Sequence, residues 1–197
     1  QSAPLVADMS SDIFSRPIDW GKHALVHAGA QKNIGPAGLT IVVIHRALLE
    51  QGNDALPAMF RYDTHAKAGS RYNTPSVFAV YCAGLVFKWI LAEGGLEAMA
   101  SRNERKASLL YDAMDDSGGF YTGHAHAECR SWMNVPFTTP SPELDAKLIA
   151  DAAAAGMMNL KGHRSVGGLR ASIYNAFPEE GCRRLATLMD DFADRHG

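Results

Sequence analysis

The sequence has few cysteines and no long apolar run. Its 197 residues include three cysteines, Cys82, Cys129 and Cys182, which are widely spaced and form no CxxC pair. A disulfide framework or a zinc cluster is therefore not indicated, and a reducing compartment, the cytoplasm, is expected. The longest apolar stretch, residues 77–91, is interrupted by Gly84 and Lys88, so it falls short of the ~18 apolar residues of a membrane span.

No charge of one sign dominates the composition either. There are 19 Lys+Arg against 21 Asp+Glu, which gives a net charge of −2, and 47% of the residues are hydrophobic. This balance gives no electrostatic argument for nucleic acid or a membrane surface as a partner, and it is typical of a globular protein with a core. Neither GxGxxG nor a P-loop occurs, so no motif supports nucleotide binding.

Hydrophobic patterning predicts a buried α/β region followed by a small α+β region, with the boundary near residue 96. The strands predicted for the first region are residues 4–7, 23–28 and 39–44. The last of these, LTIVVI, is a continuous β-branched run, which is typical of a strand buried on both faces. Residues 51–74 are predicted to be irregular. A helix over 75–93 is expected to start at Thr74-Pro75, and a more polar helix over 96–114 is predicted to be a surface connector.

The second region has the predicted order strand, strand, helix, strand, helix, which indicates a separate α+β unit. Its predicted strands are residues 120–123, 132–137 and 170–174, and its helices start at Ser141 and Pro178. The sequence therefore predicts two domains, residues 1–96 and residues 97–197.

Two residues near predicted strand ends are candidates for chemistry. Lys32 lies among small residues in a glycine-spaced loop, where a lysine buried among apolar neighbours could form a Schiff base; the alternative is a solvated surface charge. Asp8 follows a predicted strand, and ligands of open α/β sheets bind at the carboxyl ends of strands. The alternative for Asp8 is an Asx-turn or a helix cap.

A third candidate is the basic, glycine-rich segment at residues 162–170. It carries His163, Arg164 and Arg170, which could converge on one anion, and the alternative is a solvated loop with a tight turn. His124 and His126 share one face of a predicted strand, but no complete set of metal ligands accompanies them, so no metal site is predicted.

Five segments, taken in order, strongly resemble the phosphoserine aminotransferase family. They are residues 8–11 (DMSS), 28–38 (AGAQKNIGPAG), 72–75 (YNTP), 133–137 (MNVPF) and 162–172 (GHRSVGGLRAS). The QKN-x-GPAG and GHRSVGG-x-RAS segments are specific, and the match covers almost the whole chain. The resemblance implies the C-terminal part of a fold-type I pyridoxal-phosphate transferase large domain, followed by a small α+β domain.

The same resemblance implies a transaminase of serine biosynthesis. Its cofactor would be pyridoxal 5′-phosphate, and its substrates would be L-glutamate and 3-phosphohydroxypyruvate. The enzyme would be a homodimer in the cytoplasm. By the match, Lys32 carries the cofactor and acts as the catalytic acid and base. Asp8 pairs with the cofactor ring nitrogen, and Gln31 makes a further cofactor contact.

The remaining roles implied by the match concern phosphate and carboxylate groups. Asn73 and Thr74 correspond to a pair that reaches the cofactor phosphate of the neighbouring subunit. Arg170 resembles the arginine that holds the substrate α-carboxylate. His163 and Arg164 are placed toward the substrate phosphate or the distal carboxylate of glutamate.

The chain is about half of what the family needs. The aromatic residue that stacks on the cofactor, the loop that cradles its phosphate and an N-terminal basic pair are expected on a segment outside this sequence, present as another chain or lost. Trp132 also stands where the family has an arginine. The alternatives are another fold-type I pyridoxal-phosphate aminotransferase, or a non-catalytic fragment that only dimerises or binds a partner.

Overall fold

The computed structural model describes residues 3–197. They divide into two compact units, one ending at Leu96 (unit 1) and one comprising Glu97–Gly197 (unit 2). Both units combine helices with a three-stranded sheet in the described residues, so the expected mixed α/β class is confirmed. None of these residues belongs to a single helix long and apolar enough to cross a membrane.

The sheet of unit 1 places side by side the strand end that carries Asp8 and the strand end that precedes Lys32. Its strands are β1 (Val6–Asp8), β2 (Leu25–Gly29) and β3 (Thr40–Ile44), in the order β1-β2-β3. Strand β1 runs parallel to β2 and pairs Asp8 with His27, whereas β3 runs antiparallel to β2. The carboxyl ends of β1 and β2 therefore lie side by side.

The expectation that the third strand is buried on both faces is wrong. Strand β3 has only exposed and half-buried positions, and Val42 and Val43 are both exposed. It is an edge strand within the described residues, so no further strand covers its outer side. A continuous β-branched run reports the propensity of a segment to form a strand, but not what lies on either face of it.

The helices of unit 1 correct two further expectations. They are α1 (Arg46–Leu49), α2 (Tyr62–Lys67) and α3 (Val77–Ala92). Residues 51–74 are therefore not all irregular, because they contain α2 and a 3-10 turn at Ala58–Phe60. The long helix α3 starts at Val77, with Ser76 rather than Thr74 at its N-cap.

The elements of unit 2 follow the predicted order. They are α4 (Gly95–Asp115), which begins just before the unit boundary, β4 (Thr122–Gly123), β5 (Asn134–Thr138), α5 (Pro142–Ala154), β6 (Leu169–Ser172) and α6 (Glu179–His196). The strands form an antiparallel sheet, β4-β5-β6. The start of α5 is confirmed, because the Ser141 hydroxyl accepts a hydrogen bond from the Leu144 N–H at 3.3 Å and Pro142 occupies the first turn.

Helix α4 is a core helix and not the surface connector that its polar composition suggested. Eight of its residues are buried, among them Asn103, Lys106 and Leu110. Together with β5, β6 and α6 it encloses the apolar core of unit 2. Trp132 is half-buried against this core. The polar residues misled the prediction because two of them are buried with hydrogen-bond partners from unit 2.

Candidate functional site

The loop that carries Lys32 is anchored from its buried side. Ala30, Asn33 and Ile34 are buried, and the Asn33 amide donates to the carbonyls of Ser11 and Ile13 at 3.4 and 3.2 Å. The N–H groups of residues 34 and 35 both donate to the Ala30 carbonyl, which closes a helical turn. Lys32 is therefore exposed on the outer side of the turn, which agrees with the alternative of a solvated charge and not with a lysine buried among apolar neighbours.

Gln31 shares the exposed side of this turn. Its side chain lies over Gly29, where a Cβ atom would approach the Gln31 Oε1 atom to 2.5 Å. A glycine at this strand end thus leaves room for the amide of Gln31. The loop presents Gln31 and Lys32 next to each other, while its buried residues fix its backbone.

Asp8 is held at the end of β1 by a serine that the motif analysis gave no role. The Asp8 Oδ1 atom accepts hydrogen bonds from the Ser10 N–H at 2.9 Å and from the Ser10 hydroxyl at 2.6 Å. The same hydroxyl accepts from the Gly29 N–H at 2.9 Å. Ser10 therefore ties the ends of β1 and β2 together and fixes the carboxylate between them. The Asp-x-Ser spacing is the sequence signal for such a turn.

The electrostatic surroundings of Asp8 favour its ionised form. The hydroxyl and the backbone N–H of Ser10 lower the pKa of the Asp8 carboxyl below its ordinary value, and the nearby charges of His27 and Lys32 lower it further. The His27 Nδ1 atom lies 4.0 Å from Oδ1. The Asp8 side chain is 61% exposed, and no described residue donates a hydrogen bond to its Oδ2 atom. An anchored carboxylate with a free oxygen thus lies near an exposed amine.

Asn73 and Thr74 lie in the segment between α2 and α3, and both are exposed. The Asn73 amide donates to the Thr74 carbonyl at 3.2 Å. No hydrogen bond among the described residues joins either of them to Asp8 or Lys32. Unit 1 therefore brings Asp8, Gln31 and Lys32 to one loop cluster and leaves Asn73 and Thr74 outside its hydrogen-bond network.

In unit 2, His163 and Arg164 occupy a tight glycine turn. The Gly162 N–H donates to the Gly168 carbonyl at 2.8 Å, and His163 Nδ1 lies 2.6 Å from the Ser165 hydroxyl. A Cβ atom at Gly168, where φ is +62°, would lie 2.5 Å from the carbonyl oxygen of Phe137, so the turn requires glycine there. Both His163 and Arg164 are exposed, and no carboxylate among residues 3–197 pairs with Arg164.

Arg170 lies on β6, on the sheet face opposite the apolar core. Its neighbours on that face are Ser172 and Tyr174, whose hydroxyls both donate to the Asn134 side-chain oxygen, at 3.1 and 3.2 Å. The Arg170 Nε atom is buried and has no hydrogen-bond partner in residues 3–197. No sequence motif pointed to this Asn134 cluster. The alternation in R-A-S-I-Y nevertheless places Arg170, Ser172 and Tyr174 on one face of the strand.

The remaining histidine candidates form no metal centre. The described residues contain no group of three His, Cys, Asp or Glu side chains arranged to hold a metal ion.

The three cysteines are free thiols. Burial raises the pKa of Cys182 to about 11, so this thiol stays protonated at neutral pH.

Comparison with known proteins identifies the family. The family model for class-V aminotransferases matches residues 1–185. The chain belongs to the class-V aminotransferases. A phosphoserine aminotransferase of Herpetosiphon aurantiacus is 56% identical to this class-V chain over 194 residues, which are 98% of this chain and 54% of that protein.

Solved structures of class-V aminotransferases have the same fold. A phosphoserine aminotransferase from Bacillus circulans subsp. alkalophilus superposes with a TM-score of 0.93 at 50% identity, over 100% of this chain and 55% of that one. A PLP-bound phosphoserine aminotransferase from Trichomonas vaginalis gives a TM-score of 0.88 at 42% identity, over 95% and 53%. The chain therefore spans about half the length of the relatives it matches.

Proposed function

We propose that this chain is the lysine-bearing half of a phosphoserine aminotransferase, an enzyme that transfers an amino group between L-glutamate and 3-phosphohydroxypyruvate. One observation carries the proposal. An anchored, ionised carboxylate, Asp8, lies near an exposed amine, Lys32, at adjoining strand ends, in a chain 56% identical to a protein of that name. Units 1 and 2 would be the C-terminal part of the large domain and the small domain.

Unit 1 fits pyridoxal phosphate by the chemistry of its side chains. The Asp8 Oδ2 atom is free to accept a hydrogen bond from a protonated ring nitrogen, while Ser10 occupies Oδ1. The lowered pKa of Asp8 keeps the carboxylate charged at neutral pH, as this contact requires. Gln31 lies next to Lys32 and would contact the cofactor. When bound, the cofactor withdraws electrons from the substrate α-carbon.

Lys32 would have two tasks in succession. Its primary amine first provides the point of covalent attachment for the cofactor. When it is not engaged in that bond, the Nζ atom would accept the proton that leaves the substrate α-carbon and pass it on to the cofactor carbon. The exposed position of Lys32, on a turn anchored by Asn33, suits an amine that must both bind and release.

The anionic groups of the substrate would be held by unit 2. Arg170 would bind the α-carboxylate through its planar guanidinium, and its unpartnered Nε atom is a donor available for that purpose. His163 and Arg164 would bind the substrate phosphate or the distal carboxylate of glutamate. Two separate anion contacts fix the orientation of the substrate.

The enzyme would be a cytoplasmic homodimer with a shared active site. Asn73 and Thr74 are exposed and have no hydrogen bond to Asp8 or Lys32 in the described residues, which suits a role toward the cofactor phosphate of a neighbouring subunit. The segment of the relatives that this chain does not match would supply the remaining cofactor contacts.

Activity can be tested in a chimera in which this chain replaces the matching segment of the Herpetosiphon aurantiacus relative. We expect phosphoserine formation from glutamate and 3-phosphohydroxypyruvate. Lys32→Ala should reduce the rate by at least about 10²–10⁴-fold, because the proton shuttle is lost. Lys22→Ala, which removes an exposed lysine paired with Asp19, is the matched control and should retain the rate.

Another fold-type I aminotransferase is the second candidate, and Arg164 separates the two. Arg164→Ala should raise the KM for 3-phosphohydroxypyruvate by about 10- to 100-fold, and the KM for glutamate by less, because a charged hydrogen bond to phosphate is lost. Equal effects on both substrates would remove Arg164 from the role of a phosphate-binding residue. A folded chimera without any transamination would favour a non-catalytic fragment.

A further inference from the structure

Unit 2 contains a fully buried lysine that the proposed chemistry does not use. The Lys106 side chain is 0% exposed, and its Nζ atom donates to the carbonyl oxygens of Ile173 and Tyr174 at 3.0 and 2.8 Å. The carbonyl of Asn175 lies at 3.5 Å. These three carbonyls are consecutive and lie where the chain leaves β6.

Burial of an ammonium group costs free energy, which its hydrogen bonds to the carbonyls offset only in part. Burial lowers the pKa of Lys106 to about 8, so the protein loses free energy by keeping this group charged at neutral pH. The titratable groups around it are Arg102, Glu179 and the Cys182 thiol, and no carboxylate among the described residues forms an ion pair with it. An apolar side chain would fill the same space without this desolvation cost.

The neighbouring residues of α4 bind the same segment. Asn103 lies one helical turn before Lys106, and its amide donates to the Asn175 side-chain oxygen at 2.8 Å. The Arg105 Nε atom donates to Glu179 at 3.2 Å. Residues 173–179 are therefore fastened to α4 at three points. We call Asn103, Lys106 and Asn175 the carbonyl brace.

The segment that the carbonyl brace holds directly follows β6, the strand that carries Arg170. The Arg170 N–H donates to the Leu160 carbonyl at 2.7 Å, and the Ile173 N–H donates to the Met133 carbonyl at 2.9 Å. The Arg170 Nε atom itself has no partner in residues 3–197. The direction of the guanidinium therefore depends on the backbone of β6, and the carbonyl brace fixes the end of that backbone.

We propose that Lys106, with Asn103 and Asn175, is a positioning residue that holds β6 so that Arg170 meets the substrate carboxylate. This inference rests on the proposed role of Arg170 in the aminotransferase. Lys106 touches neither substrate nor cofactor in this account. It acts through the three carbonyls and the strand before them, and a displacement of about 1 Å at a binding group can cost about a hundredfold.

The test compares Lys106→Met with Lys147→Met in the chimera with the Herpetosiphon aurantiacus relative, loaded with the cofactor. Methionine keeps the length of the side chain and removes its donors, and Lys147 is a partly exposed lysine of the same unit paired with Asp151. We expect Lys106→Met to raise the KM for glutamate by about 10- to 100-fold. Its kcat per loaded site should stay within about twofold of the parent value, and the control should change neither constant.

A merely structural role gives a different result. It would lower the fraction of loaded enzyme at an unchanged KM, and that outcome would overturn the inference. If Lys106→Met does not fold, Asn175→Ala replaces it, since this variant removes the side-chain acceptor and keeps all three carbonyls. We then expect the KM for glutamate to rise by about threefold, which corresponds to a neutral hydrogen bond of modest strength.

Arg170→Lys separates failure of this inference from failure of the proposed function. If Arg170→Lys raises the KM for glutamate while Lys106→Met and Asn175→Ala leave it unchanged, only the positioning role is overturned. If Arg170→Lys itself leaves the KM unchanged, the proposed carboxylate contact is wrong, and the positioning role is overturned with it.

Discussion

The two units differ in how much of their apolar surface they bury. In unit 2, helices α4, α5 and α6 cover one face of the sheet, and the exposed large apolar side chains are Met158, Val166 and Phe177. Unit 1 has a cluster of five buried apolar residues around Ile13 and Ile34, and many large apolar side chains along α3 and the sheet are exposed. Unit 2 therefore has a larger and more completely covered apolar core than unit 1.

The difference agrees with the share of the relatives that the chain covers. Helix α3 is apolar on nearly all sides, yet only Ala79, Ala83 and Ile90 are buried. A helix that is hydrophobic all round is normally enclosed by its protein. The chain spans about half the length of its relatives. Asp8, Gln31 and Lys32 belong to unit 1, which is the unit with more exposed apolar surface.

The largest expected effect follows from producing the units separately. Residues 97–197 alone should be monomeric and unfold in one cooperative transition, because their core is complete. Residues 1–96 alone should aggregate or bind a hydrophobic dye, because large apolar surfaces promote association. Circular dichroism with size-exclusion chromatography checks both, and equally cooperative unfolding of the two pieces would contradict the comparison.

A matched pair of phenylalanine substitutions sharpens the comparison. Phe137 in β5 is 0% exposed, so Phe137→Ala should lower the free energy of unfolding of unit 2 by about 3–5 kcal/mol. Phe78 in α3 is 70% exposed, so Phe78→Ala should change stability by less than about 0.5 kcal/mol. Similar losses in chemical denaturation would show that α3 is covered in solution.

The pH dependence of stability should report the buried amine of unit 2. The folded-state pKa of Lys106 is about 8, below its unfolded value, so between pH 8 and 9 the unfolded chain binds more protons. The free energy of unfolding should rise by about 1 kcal/mol across this window, and Lys106→Met should abolish the rise. The raised pKa of Cys182 already opposes this rise near the upper end of the window, and the raised pKa of Tyr121 opposes it at higher pH. A parent protein without this rise would contradict the assignment.

The smallest expected change is a local one in the pKa of Asp8, which Ser10 holds by two hydrogen bonds. Ser10→Ala removes the hydroxyl that holds Asp8 and accepts from the Gly29 N–H, so the pKa of Asp8 should move up toward its ordinary value. Carbon-13 NMR titration of the carboxyl group measures this change. Ser11→Ala is the control, because the Ser11 side chain makes no hydrogen bond to Asp8, and an equal shift in both variants would argue against the Ser10 contact.

Local sequence signals identified most elements but not their burial. Ser141-Pro142 marked the start of α5, because the capping interaction is local. The burial of α4 could not be predicted, since Lys106 and Asn103 find their partners about 70 residues further along the chain. The exposed side of β3 likewise depends on what lies beside it in the sheet.

The site was predicted in its motifs rather than in its contacts. Asp8 and Lys32 were candidates from strand ends and loop composition, but the pairing of Asp8 with His27 required the register of β1 on β2. The role of Ser10 required the Gly29 N–H, which is 19 residues away. The sequence left both burial and exposure open for Lys32, because small neighbours indicate room around a side chain and not whether it is buried.

The most direct test of the central claim maps the lysine that reacts with pyridoxal phosphate. The chain is incubated with the cofactor, reduced with borohydride and analysed by peptide mass spectrometry. We predict one pyridoxyl group at Lys32, lost in Lys32→Ala and weakened in Asp8→Asn. Adducts spread over the exposed lysines Lys22 and Lys67, with none at Lys32, would contradict the account.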